Sequence, residues 1–191
     1  LLPLIGRFRT HHPEIQVDVR RVASRQVGVE VSQGSLDFGV VTFQPAERGL
    51  LTLNLGPDDL VMLVHPQHPL AGRKEVTLAE FGRETVIAHN DPSPARERVL
   101  RTFEQKHAPI NIQVALPSLE AIKRAVEMKM GVALLPRRCA LAELSRGQLS
   151  AVKVPQVRLA RQLRLVYRRA GELSHAAQAF LGIARHHHPE S

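Results

Sequence analysis

The sequence predicts an α/β fold built as two small lobes. Apolar residues switch repeatedly between the three-to-four spacing of helices and the alternation of strands, and that rhythm restarts after a proline-rich break at Pro66–Pro69. With 191 residues, 43% of them hydrophobic, the chain can bury one full-sized core or two small ones.

Leu4, Ile5, Phe8 and His12 fall on one helix face, and the helix ends at His12-Pro13 because proline pushes the preceding residue out of the α region. Ile15, Val17 and Val19 then alternate with Gln16, Asp18 and Arg20, as a strand with one buried face requires. Ser24 is placed to cap a short helix that buries Val27 and Val31 and stops at Gly34. Leu36 to Val41 reads as a nearly continuous apolar strand of the kind found inside parallel sheets. Strands at 51–55 and 60–65 flank Gly56-Pro57-Asp58-Asp59, which has turn chemistry.

The second series begins with a strand at 84–88 and a helix that Ser93-Pro94 opens as cap and first residue, with Val99, Leu100 and Phe103 buried. Ile110, Ile112 and Val114 alternate as a strand. Ser118 caps a helix with Leu119, Ile122, Val126 and Met130 on one face, and Gly131 is placed to end it. A strand at 132–135, a short helix at 140–145 and a strand at 152–154 complete the unit. Leu163, Leu165 and Tyr167 alternate once more, and Ser174 introduces a last helix burying Ala177, Phe180, Leu181 and Ala184.

Composition narrows the function. Cys139 is the only cysteine, which excludes an intrachain disulfide and Cys-rich zinc sites. The formal charge is +8, and between Arg137 and Arg169 nine basic residues face only Glu143. Such a field attracts anions or acidic surfaces. With one tyrosine and no tryptophan there is no aromatic platform for nucleic acid, so solvated charge or a subunit contact is the simpler reading. No phosphate-binding glycine loop, nucleophile elbow or His-Glu-x-x-His helix is present, so no enzyme is expected, and neither a cofactor nor a resident metal. Cys139 beside Arg137 and Arg138 reads as a structural thiol; His11-His12 and His65…His68 read as turn and surface residues rather than metal ligands. No apolar run is long enough to span a bilayer. The opening Leu1-Leu2-Pro3-Leu4 has neither initiator methionine nor leader, which reads as an excerpt of a longer cytoplasmic protein.

Four passages fall in a familiar order. Leu2-Pro3-Leu4-Ile5-Gly6-Arg7-Phe8 precedes His12-Pro13-Glu14-Ile15; Gly34-Ser35-Leu36-Asp37-Phe38-Gly39-Val40 follows; then come Leu63-Val64-His65-Pro66-Gln67-His68-Pro69-Leu70-Ala71 and Ala125-Val126-Glu127-Met128-Lys129-Met130-Gly131-Val132-Ala133-Leu134-Leu135-Pro136. Together they resemble the effector-binding domain of LysR-type transcriptional regulators across nearly the whole chain. The resemblance implies two Rossmann-like lobes joined by two crossover strands, like a periplasmic binding protein, and lacking the first strand of the usual domain. Lobe one would be 1–66 with a return segment at 158–185, lobe two the inserted 67–157, and 186–191 a tail. It also implies a homodimer or higher oligomer, and operator DNA bound through an N-terminal helix-turn-helix module that this sequence does not contain. A solute-binding or transport-associated domain is the alternative on the same architecture, and a small-molecule enzyme a third.

In such a fold, strand ends and helix starts hold a small polar or anionic effector. Ser24 would donate to a ligand carboxylate or cap its own helix. Thr42 would bond a polar group while Phe43 walls the pocket or packs in the core. His65 faces the ligand or holds a proline turn, and Asn90 selects polar groups or bonds within its loop. Ser93, and Ser118 after Pro117, would bind through their hydroxyls or serve as caps alone. Arg96 or Arg98 would neutralise a carboxylate or simply be solvated on their helix.

Overall fold

A computed structural model describes residues 1–157 and 161–186. The chain divides into two compact units, one formed by Leu1–Pro57 with the chain from Gln162 onward, the other by Asp58–Arg161. Arg158, the start of the expected return segment and the histidines His187 and His188 lie outside the described residues.

In the first unit, helix α1 (Leu2–His11) and helix α7 (His175–Arg185) cover one side of a sheet ordered β1 (Phe38–Val41), β8 (Gln162–Tyr167), β2 (Leu51–Pro57). Leu4 and Phe8 of α1 meet Phe180 and Leu181 of α7 over Leu165 and Tyr167. Helix α2 (Val27–Gln33) lies on the other side, where Val27 and Val31 pack on Val41 and Val166. Each buried aliphatic or aromatic side chain of this kind contributes roughly 1.5–3 kcal/mol. Gly39 permits the close seat of α2, because a Cβ there would overlap the Val27 Cγ1 methyl.

Two expectations are corrected here. Both neighbours of β8 run antiparallel to it, so the apolar run at 36–41 is not a strand of a parallel sheet. It is apolar because α2 covers one face and the α1–α7 layer the other. Ile15 lies in a bend, and residues 16–20 have no regular secondary structure and form no β-bridge among the described residues. Their alternation is real: Ile15 and Val17 pack against the α1–α7 core, whereas Val19 is 60% exposed. Burial on one face is not enough for a strand without a neighbour to exchange backbone hydrogen bonds.

The second unit has a sheet read across as β5 (Ile112–Leu116), β4 (Val86–His89), β6 (Ala133–Pro136), β3 (Leu60–Val64), β7 (Ser150–Val152). A parallel bridge between Val86 and Val132 joins the β4–β5 pair to the rest. β3 lies between β6 and β7 and alternates between two cores. Met62 and Val64 face Phe81 of helix α3 (Leu78–Arg83) and Phe103 of helix α4 (Pro94–Gln105); Val61 and Leu63 face Ile122 and Val126 of helix α5 (Leu119–Glu127). The short helix α6 (Leu141–Ser145) lies beyond β6.

Both edges of β3 are therefore occupied by strands of this unit. The chain leaves the first unit after Pro57, not at the Pro66–Pro69 break, and re-enters it at Gln162. Gly56-Pro57-Asp58-Asp59 is that passage rather than a hairpin turn, since β2 and β3 belong to different sheets. Pro66–Pro69 instead lies in turns closed by the His68 and Ala71 amides on the His65 and His68 carbonyls.

Helix ends follow the sequence where capping chemistry is strong. Ser93, Ser118 and Ser174 each accept a backbone N–H of their own first turn. α2 starts later than Ser24 predicts, with Gln26 at the cap position, and the Gln26 amide closes a turn on the Ala23 carbonyl at 2.8 Å. α5 stops at Glu127 because Lys129 takes the left-handed conformation (φ 60°), which leaves Met130 48% exposed instead of buried. Gly131 is thus not the helix terminator. It is needed where the backbone passes the Thr85 carbonyl, which a Cβ would strike. The capping box of Thr77 and Glu80 on α3 went unread, although Thr-x-x-Glu before an apolar residue is its signal.

Candidate functional site

The candidate residues form two groups. In the second unit the parallel strands β4 and β5 end side by side, tied by the Asn90 amide donating to the Leu116 carbonyl at 3.0 Å. Asn90 and Ser93 follow β4; Pro117 and Ser118 follow β5. All four therefore gather at one sheet edge, where the amino ends of α4 and α5 begin.

Ser93 Oγ accepts the Arg96 amide at 3.2 Å and Ser118 Oγ the Ala121 amide at 3.1 Å. Capping uses the oxygen as acceptor and leaves each hydroxyl proton to be donated. Each helix end also carries about half a positive charge from aligned peptide dipoles. This edge is suited to negative oxygen atoms. His89 holds the loop's shape by accepting the Asp91 amide at Nδ1, 3.0 Å away. Arg96 is half-buried and Arg98 exposed on α4.

His65 is not in this group. β3 runs antiparallel to β6, which parallels β4, so the end of β3 lies at the opposite sheet edge. There His65 Nδ1 accepts the Gln67 amide at 3.1 Å, the turn-holding role.

In the first unit, Ser24 and Thr42 are half-buried, in the turn before α2 and directly after β1. Val22 and Phe43 pack against the same α2–β1 cluster, which brings residues 22–24 and 42–43 to one end of that layer. Phe43 is half-buried there. A groove of about 440 Å³ in this unit runs between α1 and residues 13–17, lined by Ile5, Arg9, Glu14 and Ile15 among others, and contains none of the candidates.

Several charged groups have structural partners that the sequence did not disclose. Asp58, in the supposed turn, is fully buried, with Arg138 and Arg161 on its carboxylate. Arg168 donates to the Val31 and Leu36 carbonyls and so fastens the end of α2. Part of the basic stretch is therefore internal fastening rather than solvated charge. Lys123, 5% exposed, joins α5 to α6 through Glu143 at 2.6 Å. Burial opposes its charge, but the bonds to Glu143 and Glu120 prevail and raise its pKa. Burial pushes the Cys139 thiol up against the opposing pull of Arg138, which suits a structural cysteine. Among the described residues no group of three or more His, Cys, Asp and Glu side chains is placed to hold a metal, and no helix is long and apolar enough to cross a membrane.

Two α/β units on one twice-crossing chain, with polar strand ends and capped helix starts, define a ligand-binding domain of the periplasmic-binding-protein type. Residues 1–189 match the family described as the LysR substrate binding domain, and the chain belongs to that family. It is 28% identical over 181 residues to the HTH-type transcriptional activator CmpR of Synechocystis, covering 93% of this chain and 59% of that protein. To the RuBisCO operon transcriptional regulator of Allochromatium vinosum it is 33% identical, covering 93% and 59%. The chain thus spans well under two thirds of these relatives. Among solved structures, the Synechocystis PCC6803 CcmR regulatory domain in complex with 2-PG superposes with a TM-score of 0.85 at 24% identity, covering 96% of this chain and 88% of that one. The QuiR effector-binding domain in complex with shikimate gives 0.80 at 19%, covering 96% and 88%. These likenesses show the fold.

Proposed function

We propose that this chain is the sensing domain of a DNA-binding transcription regulator, and that its effector is a small acid held at the amino ends of α4 and α5. The observation that carries the proposal is the pair of serines, Ser93 and Ser118, whose oxygens cap the helices that follow the neighbouring strands β4 and β5 while their O–H groups remain donors. Asn90 supplies a neighbouring polar selector, and Ser24 and Thr42, at one end of the α2–β1 layer, are the candidate ligand contacts of the first unit. Two relatives of this fold were solved with 2-PG and with shikimate, both organic acids, which supports an anionic ligand. In the whole protein, a helix-turn-helix module preceding this chain binds operator DNA, the sensing domains associate as a homodimer or higher oligomer, and the protein works in the cytoplasm. The effector acts by binding one arrangement better than another, since a ligand with equal affinity for both shifts nothing.

The test separates binding from folding. Ser118→Asp keeps a good cap but sets a carboxylate where the ligand's anion would sit. Calorimetric titration with 2-PG and shikimate should show saturable binding of at least one acid to the wild type, with affinity lost in Ser118→Asp and thermal stability kept. Unchanged affinity in Ser118→Asp and Ser93→Asp refutes the assignment.

A further inference from the structure

The chain enters the second unit at Asp58 and leaves it at Arg161, and these two residues are bonded to each other. The Asp58 amide donates to the Arg161 carbonyl at 3.0 Å, directly after the Pro57–Gln162 pairing that ends the β2–β8 ladder. The Asp58 carboxylate then takes Arg161 on Oδ2 at 2.6 Å and Arg138 Nε on Oδ1 at 2.5 Å. A third tie runs alongside, from the Arg137 amide to the Asp59 carbonyl at 2.9 Å.

Asp58 is 0% exposed, and the Arg161 side chain 11%. A carboxylate withdrawn this far from water is tolerated only while its cations stay in place, because a half-open state leaves charge unpaired in a poor dielectric. Apolar side chains would hold two strands together at less electrostatic cost, but they permit gradual sliding. An ion set of fixed geometry does not. We propose that Asp58 is a clasp that ties the entry and exit segments of the second unit to each other, so that they open together or not at all. The clasp does not depend on the ligand assignment, and its test contains no ligand.

Hydrogen exchange followed by mass spectrometry on the 191-residue chain reads it directly. Asp58→Asn keeps the shape and removes the charge. Peptides covering 56–59 and 161–164 should exchange about tenfold faster or more, while those of β4, β5 and α5 keep wild-type rates. Unchanged rates at both crossings overturn the proposal, as does uniform acceleration through the second unit, which would make Asp58 an ordinary core residue. If Asp58→Asn does not fold, Arg138→Gln serves instead, since that side chain is 44% exposed. It should accelerate the same two peptides by a smaller factor, and no change in either again overturns the clasp.

Discussion

Lys123 shows how much one buried charge depends on its partner. Its side chain is 6% exposed and that of Glu143 16%, so truncating the lysine strands a carboxylate away from water. Lys123→Met should lower unfolding free energy by about 3 kcal/mol, and the double change with Glu143→Leu should recover most of that loss, as measured by urea unfolding. Acid stability is set by carboxylates held below their ordinary range. The Thr77 backbone amide, helped by Arg73 and the Thr77 hydroxyl, lowers the pKa of Glu80 from 4.5 to about 2. The bond from Lys123 lowers that of Glu143. In both cases the unfolded chain takes up the proton first as pH falls. Their contribution is therefore complete above pH 4.5 and, for Glu80, is lost progressively down to about 2. Glu80→Gln should flatten that part of the stability–pH curve; an identical acid limb in wild type and variant would show that the capping box contributes nothing to it.

At the scale of elements, caps and close approaches make the sharpest forecasts. Ser174→Ala should cost about 1 kcal/mol by removing the acceptor for the Ala177 amide. Gly39→Ala should cost about 1–3 kcal/mol, because the new methyl meets Val27 and α2 must lift from β1; denaturant midpoints measure both. These elements also show what the sequence could disclose. Ser93, Ser118 and Ser174 were readable because a cap is a local bond between a side chain and the amide three residues on. The α7 stripe was readable because Ala177, Phe180, Leu181 and Ala184 keep helical spacing. Residues 15–20 misled because alternation reports burial, whereas a strand also needs a neighbour. The direction of β1, the opposite edge taken by His65 and the burial of Asp58 all depend on pairings between residues far apart in the chain. No local pattern encodes those.

For the whole molecule, the proposed function requires that the native structure recognise an anion. A ligand that binds only the folded chain stabilises it by about 2.7 kcal/mol at a hundred times its dissociation constant. For a chain of this size that is roughly 5–10 °C in melting temperature. A thermal-shift screen of small organic acids should therefore contain clear positives, with neutral analogues of the same acids giving smaller shifts. The most direct measurement is a crystal structure of the chain with the strongest acid from that screen. A carboxylate or phosphate oxygen is expected about 2.7–3.2 Å from the Ser93 or Ser118 hydroxyl or the first-turn amides of α4 or α5. A fully occupied ligand seated elsewhere, for instance in the groove beside Ile5 and Arg9, with both serines untouched, would contradict it.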